Sequence, residues 1–183
     1  MLSAADKTLM ARERNIAVAI LRYGANLIDP ETGLTVTQFI SEELQTDGIT
    51  LQIPLYSKVM EAALALIAEG VSTDLWLARM LSHPDDDIAN FANDMADDRY
   101  VLCQHQQMMH RPDEERLAEI VPQLVMELKY SVLEGLIRDL RLRINDPRTQ
   151  ADAELSLQLL TQLRDLHAVK REMAQALGGR VIG

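Results

Sequence analysis

The chain has 183 residues and a formal charge of −10, from 28 acidic and 18 basic side chains, a balance that excludes strong non-specific binding to nucleic acid, which needs clustered Lys and Arg at the phosphates. Almost half of it is apolar, yet only two Phe and one Trp occur, so Leu, Ile, Val, Ala and Met supply the core volume and favour helices over sheet. A single cysteine, Cys103, excludes an intramolecular disulfide framework and fits a reducing cytoplasm, and no apolar run nears the roughly 18 residues of a membrane span.

The first helix is expected from about Ala4 to Tyr23, with Ile16, Ala19 and Ile20 inward and Gly24 as its stop. Its charges Asp6, Lys7, Arg12, Glu13 and Arg14 interrupt any signal-peptide core. Asp29-Pro30-Glu31-Thr32-Gly33 is a loop by its turn chemistry. Thr35 then caps a helix, with Gln38 at the reciprocal capping-box position and Phe39, Ile40 and Leu44 as the apolar face. Ile49 to Ile53 could be extended, but no partner strand is visible. Pro54 suits the first position of the next helix, which runs to about Glu69 before Gly70. Ser72 can cap a short helix over Leu75, Trp76, Ala78 and Met80, and Pro84 starts another.

The last third is the most distinctive part. A first arm, from about Asp113 to Ile144, carries Leu117, Ile120, Val121, Leu124, Leu128, Val132, Leu136, Ile137, Leu140 and Ile144. A second, from about Arg148 to Leu177, carries Leu155, Leu159, Leu163, Leu166, Val169, Met173 and Leu177. Spacings of three and four place each set on one helical stripe. Asn145-Asp146-Pro147 folds one arm back on the other, and each arm would span roughly 45 Å at 1.5 Å per residue. Pro122 should kink or break the first arm near its start, because it lacks a donor N–H. The expected fold class is therefore all-α: a helical bundle body over residues 1–111, then a long C-terminal antiparallel hairpin over residues 112–183. The hairpin's surface differs from the body's, since residues 147–183 carry a net charge of +1 and residues 1–146 carry −11.

Few side chains suggest chemistry. Asp85-Asp86-Asp87 resembles a divalent-metal cluster, but consecutive helical residues point about 100° apart, and acid in a first turn complements the helix dipole. Cys103, His105 and His110 lie close in sequence, yet no second ligand pair completes a zinc set. His83 reads as a cap or surface residue and His167 as an exposed one. No Walker-type loop, Gly-x-Gly-x-x-Gly or Gly-x-Ser-x-Gly occurs. No catalytic residue, metal or cofactor is expected. Arg138, Arg141, Arg143 and Arg148 cluster near the hairpin turn. They either match the helix dipole or form a positive tip for an acidic partner surface, and both readings stay open.

The segments Arg12-Glu-Arg-Asn-Ile-Ala, Leu21-Arg-Tyr-Gly24, Phe39-Ile-Ser-Glu-Glu-Leu44 and Pro54-Leu-Tyr set an order and spacing. It continues through Leu81-Ser-His-Pro84, Leu117-x-x-Ile-Val-Pro-x-Leu124, Lys129-Tyr130 and Met173-Ala-x-x-Leu-Gly178. Over nearly its whole length the chain resembles the C-terminal helicase-binding domain of bacterial DnaG-type DNA primases, in a branch with a long penultimate helix. The resemblance implies a helical body joined to a hairpin that docks on the N-terminal domains of the replicative helicase. It also implies that the zinc-binding and polymerase parts of the primase lie upstream, so this chain is not an enzyme on its own.

Residue assignments carry over loosely. The hairpin is the matching region, and the partner-binding set expected there is Arg138, Arg141, Leu155, Leu159, Leu163, Arg164, Leu166, Arg171, Met173 and Leu177. An apolar stripe with a polar rim is what helix-in-groove binding requires, although the same stripe must also pack the hairpin on itself. The function expected is a non-catalytic domain, monomeric alone, that couples RNA primer synthesis to DNA unwinding in the cytoplasm. The alternative is a self-associating all-helical structural or adaptor module unrelated to priming.

Overall fold

The computed structural model describes residues 3–96 and 113–178, and its first helix, α1 (Ala4–Tyr23), opens on a reciprocal cap. The Asp6 amide donates to Ser3 Oγ at 3.1 Å and the Ser3 amide donates to Asp6 Oδ2 at 3.0 Å. The architecture is all-α apart from one small ribbon, β1 (Leu27–Asp29) paired antiparallel with β2 (Leu34–Thr35). Then come α2 (Val36–Thr46), α3 (Pro54–Ala68), α4 (Thr73–Leu81) and α5 (Asp86–Met95). A 3-10 turn (Asp113–Arg116) leads into α6 (Leu117–Ile144), followed by α7 (Pro147–Gln150) and α8 (Ala153–Ala176). No described helix is long and apolar enough to cross a membrane.

The chain divides into two compact units, one of residues 10–125 and one of residues 1–9 with 126–183. The division falls inside α6, and the first nine residues group with the hairpin. Residue 111, where the sequence suggests a boundary, lies outside the described residues.

In the unit of residues 10–125, Ile16 to Leu21 of α1 form a continuous buried run with Val36 and Ile40 of α2, Val59 and Ala63 of α3, and Trp76 and Met80 of α4. Trp76 Nε1 donates to the carbonyls of Ile20 and Leu21 at 3.1 and 3.0 Å, so its polar edge is satisfied where α1 ends. Gly24 follows directly, and a Cβ there would collide with the Trp76 ring, the Ile20 carbonyl and the Thr37 hydroxyl. The absence of a side chain is what lets α4 approach. Thr35 and Gln38 form the expected capping box on α2. Asp29 organises the turn between the strands by accepting from the Glu31 amide at 2.9 Å and the Thr32 hydroxyl at 2.7 Å. Those two bonds, the hydroxyl's first, hold its carboxyl below the usual range.

Three expectations change in this unit. Pro84 does not open α5; Asp85 caps it, accepting from the Asp87 amide at 2.9 Å. Because Asp85 lies outside the helix, it and Asp87 do converge, each meeting Lys58 Nζ of α3 at 2.9 Å. Asp85 therefore caps α5, and it and Asp87 tie that helix to α3. Leu75 faces solvent, leaving Trp76 and Met80 as the buried residues of α4.

In the hairpin unit, α6 and α8 run antiparallel. Lys170 donates to Glu134 at 2.7 Å and lies 5.3 Å from the centre of the Tyr130 ring, and Arg141 meets His167 at 3.0 Å. The turn is longer than Asn145-Asp146-Pro147. Asp146 caps the single-turn α7, Asp152 caps α8 by accepting from the Leu155 amide at 3.0 Å, and the Ser156 hydroxyl donates to the Thr149 carbonyl at 2.7 Å. Pro122 does not break α6, which is continuous from Leu117 to Ile144. So near the helix start, proline forfeits one bond, to the carbonyl of Ala118.

Candidate functional site

The hairpin unit is where the apolar and cationic side chains of interest meet. Leu159 is 3% exposed and Leu177 is buried, while Leu155, Leu163, Leu166 and Met173 are half-buried. That stripe is the less exposed side of α8, with Leu159 and Leu177 its most buried members. Leu136 departs from the predicted buried stripe of α6 and faces solvent, with Leu133 buried in its place.

The apolar side chains left in water are others. Leu157 is 67% and Leu160 49% exposed on α8, with Val169 further along, and Leu136 and Leu142 stand out from α6. Leu157 and Leu160 are three apart and Arg164 four beyond, so the three share one helical face. Sequence reasoning missed this pair by following a single stripe. Two positions of helix turn a residue by roughly 200°, so Leu157 lies opposite Leu155, and leucines on both sides of one helix were the available signal.

The cations differ in their pairing. Arg138 donates to Asp6 at 2.9 Å and to the Ser3 hydroxyl at 3.1 Å. The Asp6 carboxyl is thereby held below its ordinary value, first by Ser3 and then by Arg138, and the Arg138 guanidinium is raised by Asp6. Lys170 is likewise raised, chiefly by its bond to Glu134. Arg164 is exposed and bound to its neighbour Asp165, and Arg171 is exposed. Arg141 is exposed and contacts His167, which is half-buried where the sequence suggested an exposed residue. Together α1, α6 and α8 line a notch of about 350 Å³ that includes Arg138, Arg141, His167 and Lys170.

Among the described residues no group of three or more His, Cys, Asp or Glu is placed to hold a metal ion. Cys103, His105 and His110 lie outside the described residues. His83 Nδ1 accepts from the Asp85 amide at 3.1 Å, a local turn bond that helps place the cap of α5.

A family model described as a domain of unknown function, DUF8430, matches residues 3–181. The chain belongs to this family. The DUF8430 match spans both compact units and every helix described above. No curated protein and no solved structure matches the chain.

Proposed function

We propose that this DUF8430 chain is a non-catalytic interaction domain that binds the N-terminal domains of a replicative DNA helicase. In that role it couples RNA primer synthesis by a DnaG-type primase to DNA unwinding. The observation that carries the reading is the set of large apolar side chains left in solvent on the hairpin unit, above all Leu157 and Leu160. Water-exposed leucines on one helical face, with Arg164 beside them, are what an amphipathic helix offers to a partner's groove. The choice of partner is supported by the ordered segments from Arg12 to Gly178, which resemble the helicase-binding domain of such primases.

The test is calorimetric binding of the full chain to the N-terminal domains of the replicative helicase from the same source. Leu157→Asp and Leu160→Asp should each leave the helical signal in circular dichroism intact and weaken binding by about 2 kcal/mol if the pair anchors the interface. Leu159→Ala, a buried change, should instead lower stability by about 2–5 kcal/mol. Undiminished affinity in the Leu157→Asp, Leu160→Asp double variant would remove the site. Light scattering addresses the rival occupant of the same face: a mass that rises with concentration and reverts in the double variant would replace helicase recruitment with self-association.

A further inference from the structure

We infer that the notch on the hairpin unit is a carboxylate-binding site built on Arg141 and His167, fitted to an acidic side chain that projects beside an aliphatic one from a partner protein. As an account of the helicase interface it rests on the function proposed above; as a binding site it stands on its own geometry.

Three cations line the notch, and two are already neutralised. Arg138 is paired with Asp6 at 2.9 Å and lies 3.5 Å from Asp139. Lys170 is paired with Glu134 at 2.7 Å. Arg141 alone among these three has no carboxylate within ion-pair distance among the described residues, and its one polar contact there is the 3.0 Å approach to His167 Nε2. A guanidinium has only donors, so the imidazole nitrogen must accept, and the contact requires a His167 whose Nε2 carries no proton. The histidine thus orients Arg141 without cancelling its charge. One N–H is engaged and the others remain for a ligand, and a planar carboxylate can take two of them in parallel.

The rest of the lining selects among anions. Ile137, Leu142 and Ala5 supply apolar wall, and Leu142, adjacent to Arg141, is 66% exposed. An aliphatic group next to the bound carboxylate would cover it. Glu134 also lines the notch, which disfavours a doubly charged phosphate, and the chain's charge of −10 disfavours a polyanion. A single carboxylate with a hydrophobic neighbour satisfies both the charge and the wall.

The experiment uses the full chain and two blocked peptides, N-acetyl-Leu-Glu-Leu-amide and its Gln counterpart, with inorganic phosphate as a third ligand. Nitrogen-15 spectra follow the Arg141 side-chain Nε–H and the His167 ring. The Glu peptide should shift both saturably, the Gln peptide should shift neither, and Arg141→Gln should abolish the response. Equal response to phosphate, or none to the Glu peptide, would overturn the assignment. In the helicase titration, Arg141→Gln should weaken binding about fivefold, whereas Arg148→Gln, an exposed arginine outside the notch, should stay within about twofold of the parent. A helicase that does not bind the parent chain sinks the recruitment reading, and the peptide response still decides the notch. Helicase binding that ignores Arg141→Gln, with a silent peptide titration, sinks the notch and leaves recruitment standing.

Discussion

Glu13 is 1% exposed, and it gives one carboxyl oxygen to the Gln52 amide at 2.7 Å and the other to the Ile53 amide at 3.1 Å. Those amides precede α3, which has no side-chain cap of its own, so a residue of α1 satisfies donors at the start of another helix. Glu13→Gln keeps the shape but removes one acceptor, and should destabilise the chain by about 1–3 kcal/mol in urea unfolding. Asp6 gives a pH signature. Its pKa is lowered in the folded chain, so its contribution is present above the unfolded value and is lost as pH falls through the folded one. The stability difference between the parent and Asp6→Asn should thus be seen at pH 7 and shrink once pH drops below the ordinary carboxyl value of 3.8. Curves that stay apart at pH 2 would contradict this. The Thr35–Gln38 box was legible in sequence because it closes over three residues. Glu13 was not, because its partners lie 39 and 40 residues away.

Caps and faces decide the elements. Asp152 starts α8 by accepting from the Leu155 amide, and Asp152→Ala should cost about 1 kcal/mol. Its mark would be faster amide exchange confined to the first turn of α8; unchanged protection there would mean that Ser156 and α7 hold the turn without it. The bounds of α1 were readable from the sequence because an apolar run ends at a glycine. The ribbon of β1 and β2 was not, since two and three residues are too few to show a period. Asp85 was hidden for a related reason: Pro84 is the stronger helix-start signal, and only the fold shows that the helix begins two residues later, at Asp86. Periodicity found the apolar stripe of α8 but could not grade the exposure of its members, since burial depends on what the stripe meets.

For the molecule as a whole, charge is divided more sharply than composition suggests. Residues 147–183 are net positive in an otherwise acidic chain, and Arg141 adds an unneutralised cation to the same unit. If this surface meets an acidic partner, raising the salt concentration should slow association while leaving dissociation nearly unchanged. Stopped-flow mixing with the helicase N-terminal domains at several ionic strengths would show it, and a salt-independent association rate would mean the contact is apolar alone. The region of the candidate site and its cations Arg141 and Arg164 were legible from the length and charge of the last two helices. Its exposed leucines were not, because telling an anchor from a core leucine needs the exposure of each.

The chain contains one tryptophan, and it is buried against the end of α1 with its indole nitrogen bound to two carbonyls. Trp76 belongs to the unit of residues 10–125, and no indole lies in the hairpin unit. Excited at 295 nm, at about the red edge where tyrosine barely absorbs, the protein should emit from one unit only, shifted to the blue by the apolar surroundings. A denaturation curve recorded that way tracks residues 10–125, while ellipticity tracks every helix. The gap between the two curves measures whether the hairpin unit melts on its own.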